Sequence, residues 1–177
     1  GTHAVAAVHP GEDKMKALAI MLVACSAAAL AQAPETAKAD LKDASGKTVG
    51  TANLTETPHG VLMHVKLTGA PAGTHAFHVH ATGKCEAPFA TAGGHFNPGS
   101  KQHGILNEMG MHAGDMADVE VPADGNLTFD LLNPNVTLKA GAANSLFKDG
   151  GTALMLHGGA DDYKSDPAGN AGPGLRR

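Results

Sequence analysis

Three histidines stand within the six residues of the segment HAFHVH, at His75, His78 and His80. Side chains alternate between the two faces of a β-strand, so a strand here places His78 and His80 on one face and Phe77 and Val79 on the other. The apolar face predicts packing against a core. The histidine face predicts a metal site, because neutral imidazole is a common metal ligand.

A long segment, 85–115, carries more histidines but little strand pattern, and it is rich in Gly, Pro and Asn. Irregular segments of this length in compact domains are usually functional or disordered. Three imidazoles and one carboxylate, which together suit a closed tetrahedral zinc site, recur along it: His95, His103, His112 and Asp115. A further imidazole from His157, after ALML, would join His78 and His80 in an all-nitrogen set suited to copper.

The remaining histidines of the central region have a plainer interpretation. His64 alternates with Met63 and Val65 in a strand pattern, which predicts a solvated position on the polar face. We interpret His59 in the same way. His75 shares the inward face with Phe77, which predicts a structural role.

The elements that position these residues are predicted to be short strands. Turn signals such as DASGK, TGAPAG, PADGN and KDGG recur between segments rich in Val, Leu, Thr and Phe. The predicted strands are 37–42, 48–55, 61–67, 117–121, 127–132 and 153–157. This pattern predicts an all-β sandwich or barrel with a long metal-binding loop.

Composition limits the alternatives. The chain has 177 residues, enough for about one domain, with 23 glycines and 3% aromatic residues, which favours strands and turns over helix bundles. The formal net charge is −4 and no basic stripe is present, which argues against a nucleic-acid partner.

The first part of the chain predicts export. Lys14, Met15 and Lys16 precede an apolar stretch, 17–30, which is typical of a secretory signal peptide at 15–31 cleaved after Ala31. Residues 1–14 are then an upstream extension outside the fold, and 32–177 form the exported domain. The alternative treats LVAC as a lipidation signal that anchors Cys25. About 14 apolar residues are too few for a membrane span, which needs about 20.

Four stretches carry a resemblance to one family: HAFHVHATGKCEAPFATAGGHFNPGSKQHG, then HAGD, LHGGADDY and DPAGNAG. They resemble the bacterial periplasmic copper/zinc superoxide dismutases. The resemblance implies an eight-stranded Greek-key sandwich or barrel of the immunoglobulin-like type. It also implies a copper redox centre that converts superoxide to dioxygen and hydrogen peroxide, beside a structural zinc. Bacterial members include monomers and homodimers, so it does not select an oligomeric state.

The resemblance also implies a role for each candidate residue. The implied copper ligands, which are also the catalytic residues, are His78, His80, His95 and His157. The four zinc ligands are His95, His103, His112 and Asp115, with His95 bridging both metals. Asp161 matches a carboxylate that accepts hydrogen bonds from one ligand of each metal, here His78 and His103.

The carboxyl end departs from the family pattern. In NAGPGLRR, Gly174 stands where the family has a superoxide-guiding arginine, Arg177 stands where it has a disulfide cysteine, and no final strand follows. Cys85 matches the other disulfide cysteine, so we expect a free thiol or pairing between chains. We therefore expect lower turnover, lower stability and an open sheet edge. The alternative function is a copper- and zinc-binding periplasmic protein with little or no turnover.

Overall fold

Antiparallel strands make up nearly all the regular structure of the chain. The computed structural model describes residues 4–10, 35–87, 89–148 and 150–172. Its elements are β1 (Ala4–Ala7), β2 (His9–Pro10), β3 (Thr36–Lys42), β4 (Thr48–Thr57), β5 (Gly60–Leu67), β6 (Gly73–His75), β7 (Phe77–His80), a 3-10 helix (Ala90–Ala92), β8 (Val119–Val121), β9 (Leu127–Asn133) and β10 (Ala153–Leu156).

The strands form one large sheet and one small one. The large sheet has eight strands in the order β7-β10-β1-β3-β4-β5-β9, with β2 also paired to β3, and β6 and β8 pair by themselves. Long connections therefore carry the chain between strands that are neighbours in space, such as β7 and β10. The all-β prediction is confirmed, and each of the six predicted strands coincides with an observed one.

Side-chain alternation decides which face of each strand is buried. In β5 every second residue is buried and the others are exposed, with Val61, Met63 and Val65 inside and His64 outside. These buried residues join Leu54, Phe77 and others in what we call the main core. Strands β7 and β10 are buried on both faces. One face of β7 contributes Phe77 and Val79 to the main core, so its histidine face lies on the opposite side.

The amino-terminal segment corrects one expectation. Residues 1–14 were expected to lie outside the fold, but β1 lies between β10 and β3 in the large sheet, where Val5 pairs with Met155 on one side and with Lys42 on the other. The apolar sequence AVAAV can form a buried strand, and the edges of β3 and β10 both offer backbone partners. Within the described sheet, β1 therefore pairs with both β10 and β3.

Several expectations concern positions outside the described residues. The predicted signal peptide and Cys25 fall within 11–34, and Gly174 and Arg177 fall within 173–177. Cys85 is described and forms no disulfide with another described residue of this chain. No helix in the described ranges is both long and apolar enough to cross a membrane.

The main core predicts how stability responds to truncation of a buried side chain. Leu54 is fully buried, whereas Leu62 of the neighbouring strand is 39% exposed. We expect Leu54→Ala to lower the free energy of unfolding by about 2–5 kcal/mol, because it removes buried apolar surface and leaves a cavity. Leu62→Ala is the matched control and should cost less than half as much. Denaturant-induced unfolding of both variants measures the difference, and equal losses would contradict this assignment of the core.

Candidate metal centre

Four histidines converge on the outer face of β7 and β10. His78 and His80 lie on β7, His157 follows the last residue of β10, and a short β-bridge between His80 and His95 holds the loop against β7. Each of the four offers a ring nitrogen, and these nitrogens lie within 4.8 Å of one another. We call His78, His80, His95 and His157 the first cluster.

Hydrogen bonds outside the first cluster set how its rings are turned. The Nε2 of His78 lies 2.8 Å from Oδ2 of Asp161, and the Nδ1 of His80 lies 2.8 Å from the carbonyl oxygen of Gly93. Both partners accept hydrogen bonds, so those ring nitrogens carry the protons and the opposite nitrogens keep their lone pairs. The Nε2 of His80 consequently faces Nε2 of His157 at 3.2 Å.

A second cluster, His95, His103, His112 and Asp115, shares His95 with the first. The Oδ1 of Asp115 lies 2.8 Å from Nδ1 of His95, 3.0 Å from Nδ1 of His103 and 3.3 Å from Nδ1 of His112. Nδ1 of His112 and Nδ1 of His95 are 3.4 Å apart. Neighbouring ligands of a tetrahedral zinc with bonds of about 2.0–2.1 Å are about 3.3 Å apart, so this spacing suits zinc.

Backbone groups of the loop hold Asp115 in place. Its Oδ2 accepts hydrogen bonds from the backbone N–H of Gly104 at 2.9 Å and of His112 at 3.0 Å. The backbone N–H of His103 in turn donates to Oδ1 of Asp166 at 2.6 Å. The loop is thus ordered by side-chain acceptors rather than by a strand ladder.

Asp161 links the two clusters. One oxygen accepts from Nε2 of His78 at 2.8 Å, and the other lies 2.9 Å from Nε2 of His103 and accepts the backbone N–H of Tyr163 at 2.7 Å. Gly169 packs directly against this carboxylate, and a Cβ at that position would overlap Oδ1 of Asp161. A residue with no side chain is therefore required beside the link.

Burial and the two carboxylates act in opposite directions on the charges of the site. Burial lowers the pKa of His103, but hydrogen bonds with Asp115 and Asp161 outweigh it and raise that pKa to about 9. Burial, helped by the nearby His95, lowers the pKa of His80 to about 3. Burial raises the pKa of Asp115, but hydrogen bonds from His103 and His95 outweigh it and lower that pKa below its usual range. At neutral pH, His80 is therefore ready to bind a metal ion and His103 must first lose a proton.

The donor atoms fit metal ions in both clusters. Among the described residues, Nδ1 of His78 and Nε2 of His95 are buried without a hydrogen-bond partner. Buried polar atoms of this kind are costly unless they are satisfied, and a metal bond satisfies them. The two atoms belong to the first cluster, and Nδ1 of His95 faces the second, so one imidazole presents a nitrogen to each.

A cleft connects the first cluster with solvent. It has a volume of about 400 Å³, and its lining includes His80, His95, His157, Phe89 and Gly93. His78 is fully buried behind it, whereas 5% of His80 and 7% of His95 are exposed. A small molecule can therefore reach the first cluster from one side.

The other histidines of the central region, His59, His64 and His75, lie where the sequence analysis placed them. His59 is exposed, and His64 is exposed with its Nδ1 2.7 Å from Oδ1 of Asp130. Both ring nitrogens of the buried His75 lie near carbonyl oxygens, at 2.7 Å from His157 and 2.9 Å from Pro71. These positions are consistent with solvated and structural roles.

The sequence reasoning missed several supporting residues. Asp118 accepts the backbone N–H of Asp161 through both oxygens, each at 3.2 Å. The hydroxyl of Tyr163 accepts the backbone N–H of Asp118 at 2.8 Å, and Asp166 accepts that of His103. The sequence did offer one signal for these residues: Asp118 lies three residues after HAGD, and Asp166 is the first residue of DPAGNAG.

Comparison with known proteins agrees with this geometry. The family model described as copper/zinc superoxide dismutase matches residues 48–176. A superoxide dismutase [Cu-Zn] of Aquifex aeolicus is 53% identical over 136 residues, covering 76% of this chain and 80% of that protein.

Two solved structures are also similar. A superoxide dismutase-like protein from Bacillus subtilis aligns with a TM-score of 0.74 and 35% identity, over 76% of this chain and 91% of that one. The Cu/Zn superoxide dismutase from Brucella abortus aligns with a TM-score of 0.61 and 29% identity, over 80% of this chain and 96% of that one.

The fold and the two clusters define an all-β antiparallel protein with two adjoining groups of side chains that could hold metal ions. The family match covers more than half of the chain. The chain therefore belongs to the copper/zinc superoxide dismutase family, and copper and zinc are its cofactors.

The close contact between Gly169 and Asp161 predicts that a side chain added at position 169 weakens zinc binding. Gly169→Ala should displace the Asp161 carboxylate and lower zinc affinity about 10–100-fold, the usual effect of losing a partner that orients a ligand. Gly172→Ala is the matched control, because both glycines have positive φ, at 63° and 86°, but nothing lies within 4 Å of a Cβ at Gly172. Competition with a chelator measures zinc retention. Equal retention in the two variants would contradict a specific role for the contact.

The raised pKa of His103 predicts a pH-dependent zinc affinity. A group with a pKa of about 9 is protonated at pH 7, so zinc must displace its proton. Apparent zinc affinity of the metal-free protein should rise about tenfold per pH unit from pH 7 and level off near pH 9. Asp161→Asn removes one of the two carboxylates that raise the pKa of His103. The zinc affinity of this variant should therefore level off at a lower pH. Chelator competition at several pH values tests this, and a flat profile in the unsubstituted chain would show that His103 is already neutral.

Proposed function

We propose that this chain catalyses the dismutation of superoxide, with copper held in the first cluster and zinc in the second. The carrying observation is the single imidazole of His95, whose Nδ1 lies 2.8 Å from Asp115 in the second cluster and whose Nε2 is a buried atom of the first without a hydrogen-bond partner. Bound copper supplies one-electron chemistry that converts two superoxide anions and two protons to dioxygen and hydrogen peroxide.

The assignment of metals to clusters follows from donor chemistry. The first cluster offers four imidazole nitrogens, a set that suits copper, and it opens to solvent through the cleft. The second offers three imidazoles and one carboxylate with tetrahedral spacing, a closed set that suits structural zinc. The proposed copper ligands are His78, His80, His95 and His157. The proposed zinc ligands are His95, His103, His112 and Asp115.

The chain itself orients the ligands and limits access. Asp161 fixes the ring of His78 on the copper side and the ring of His103 on the zinc side, so we assign it a positioning role. Gly93 fixes the tautomer of His80 through its carbonyl oxygen. The cleft admits a small anion such as superoxide beside His80, His95 and His157, while His78 is closed off behind them.

We also propose that the protein acts after export to the periplasm. The support is the sequence pattern of a lysine-flanked apolar stretch followed by small residues at 15–31. The described part of the chain contains no helix suited to span a membrane.

The proposed function predicts a metal content and a rate together. Purified protein supplied with both metals should bind one copper and one zinc per chain and should accelerate superoxide decay. His95→Ala should weaken the binding of both metals and abolish most of the acceleration, because it removes a ligand from each cluster. Metal analysis paired with a superoxide-decay assay measures both.

His64→Ala is the control, because His64 is an exposed histidine outside both clusters. It should retain both metals and full activity. Full loading with copper and zinc without accelerated decay would instead favour the alternative, a metal-binding protein without turnover. Retention of both metals by His95→Ala would show that His95 does not bridge them.

A further inference from the structure

Residues 4–10 run between β3 and β10 as a single extended segment with partners along both edges. Against β10 they keep one antiparallel register, which continues beyond β1 because the N–H of Val8 donates to the carbonyl oxygen of Thr152 at 3.1 Å. Against β3 they keep one register as well. Its pairs are Val5 with Lys42, His9 with Lys38 and Pro10 with Ala37.

Both faces of this segment are covered. Ala4, Ala6 and Val8 pack into the main core. Val5 points the other way, into what we call the outer cluster, which also contains Phe89, Ala92, Ala153 and Met155. Each of the four inserted residues is at most 5% exposed. The space between β3 and β10 therefore accepts a strand of small apolar residues that alternate between two cores.

Cys85 lies directly against this segment. It packs on the outer cluster that contains Val5. Burial raises the pKa of its thiol, and the nearby backbone N–H of Ala7 acts in the opposite direction. The thiol is therefore only partly exposed while residues 4–10 are in place. Its reactivity can report whether the segment is present.

We propose that the gap between β3 and β10 is a strand-binding site and that residues 4–10 of the same chain are its occupant. The proposal is independent of the proposed function. Occupation supports the first cluster, because β10 precedes His157 and pairs with β7, which carries His78 and His80. Without an occupant, β10 becomes an edge strand and the large sheet divides between β10 and β3.

Signal-peptide cleavage would determine whether residues 4–10 remain covalently linked to the strands that they pair with. The predicted cleavage after Ala31 falls between β2 and β3, so it would separate residues 4–10 from the rest of the fold. The emptied site would expose two strand edges with unpaired backbone groups, and such edges bind extended segments by strand addition.

The test uses the full chain and compares two variants. Val5→Asp places a carboxylate in the apolar outer cluster, whereas His9→Asp makes the same change at an exposed position of the same segment. Hydrogen exchange is read at residues 4–8 and in β4 and β5, and alkylation is read by mass spectrometry on the peptide that contains Cys85. In the unsubstituted chain and in His9→Asp, the amides of Ala4 to Val8 should be protected. In Val5→Asp they should lose protection, and Cys85 should be alkylated at least about tenfold faster while β4 and β5 remain protected.

A synthetic peptide, THAVAAVHP, provides a second measurement. Added to the Val5→Asp chain, it should occupy the emptied site and slow alkylation of Cys85, and the same peptide carrying aspartate in place of its first valine should not. Free exchange of the amides at 4–8 in the unsubstituted chain would overturn the proposal, whatever the stability of Val5→Asp. Protection that appears only in a dimer, rising with protein concentration, would show that a second copy supplies the strand and would overturn occupation by the same chain.

Discussion

The buried carboxylate of Asp161 couples the two halves of the site. It joins Nε2 of His78, on a strand, to Nε2 of His103, on a loop, and both distances are below 3 Å. A carboxylate in such a position is tolerated only when its oxygens are satisfied, and the N–H of Tyr163 completes the set. Since each oxygen faces a different ring, neither cluster can be reoriented without disturbing the other. The surrounding loop is arranged to keep this link, with Asp118 holding its backbone and Gly169 leaving room beside it.

The two clusters depend on different kinds of support. The first is built mainly on β7 and β10, whose ladder bonds fix His78 and His80 to the same face regardless of what surrounds them. The second lies almost entirely on irregular backbone, so its order depends on acceptors such as Asp115 and Asp166. His95 belongs to both, and its bridge to His80 anchors the loop to the sheet. The strands of the large sheet thus carry most of the first cluster, and a loop ordered by carboxylates carries the second.

The large sheet links the strands of the first cluster to the amino-terminal segment. Strand β10 has β7 on one side and β1 on the other, so the strand that leads to His157 is held by a segment far away in the sequence. The same segment packs against the outer cluster and Cys85, close to Phe89, which lines the cleft. The amino-terminal segment therefore contributes both to the pairing of the large sheet and to the packing beside the first cluster.

Much of the site was determined by the sequence alone, because strand alternation and ligand chemistry are local. The H-x-H pattern placed His78 and His80 on one face, the donor types named both candidate sets, and the family resemblance singled out Asp161. Tertiary structure alone decided how the loop closes: which nitrogen of each ring faces inward, that Asp118 and Asp166 hold the backbone, and that Gly169 must lack a side chain. It also decided that residues 4–10 enter the sheet, contrary to expectation. These features depend on pairings between residues far apart in the chain, and a local pattern carries no information about the partner that satisfies a buried polar group or a free strand edge.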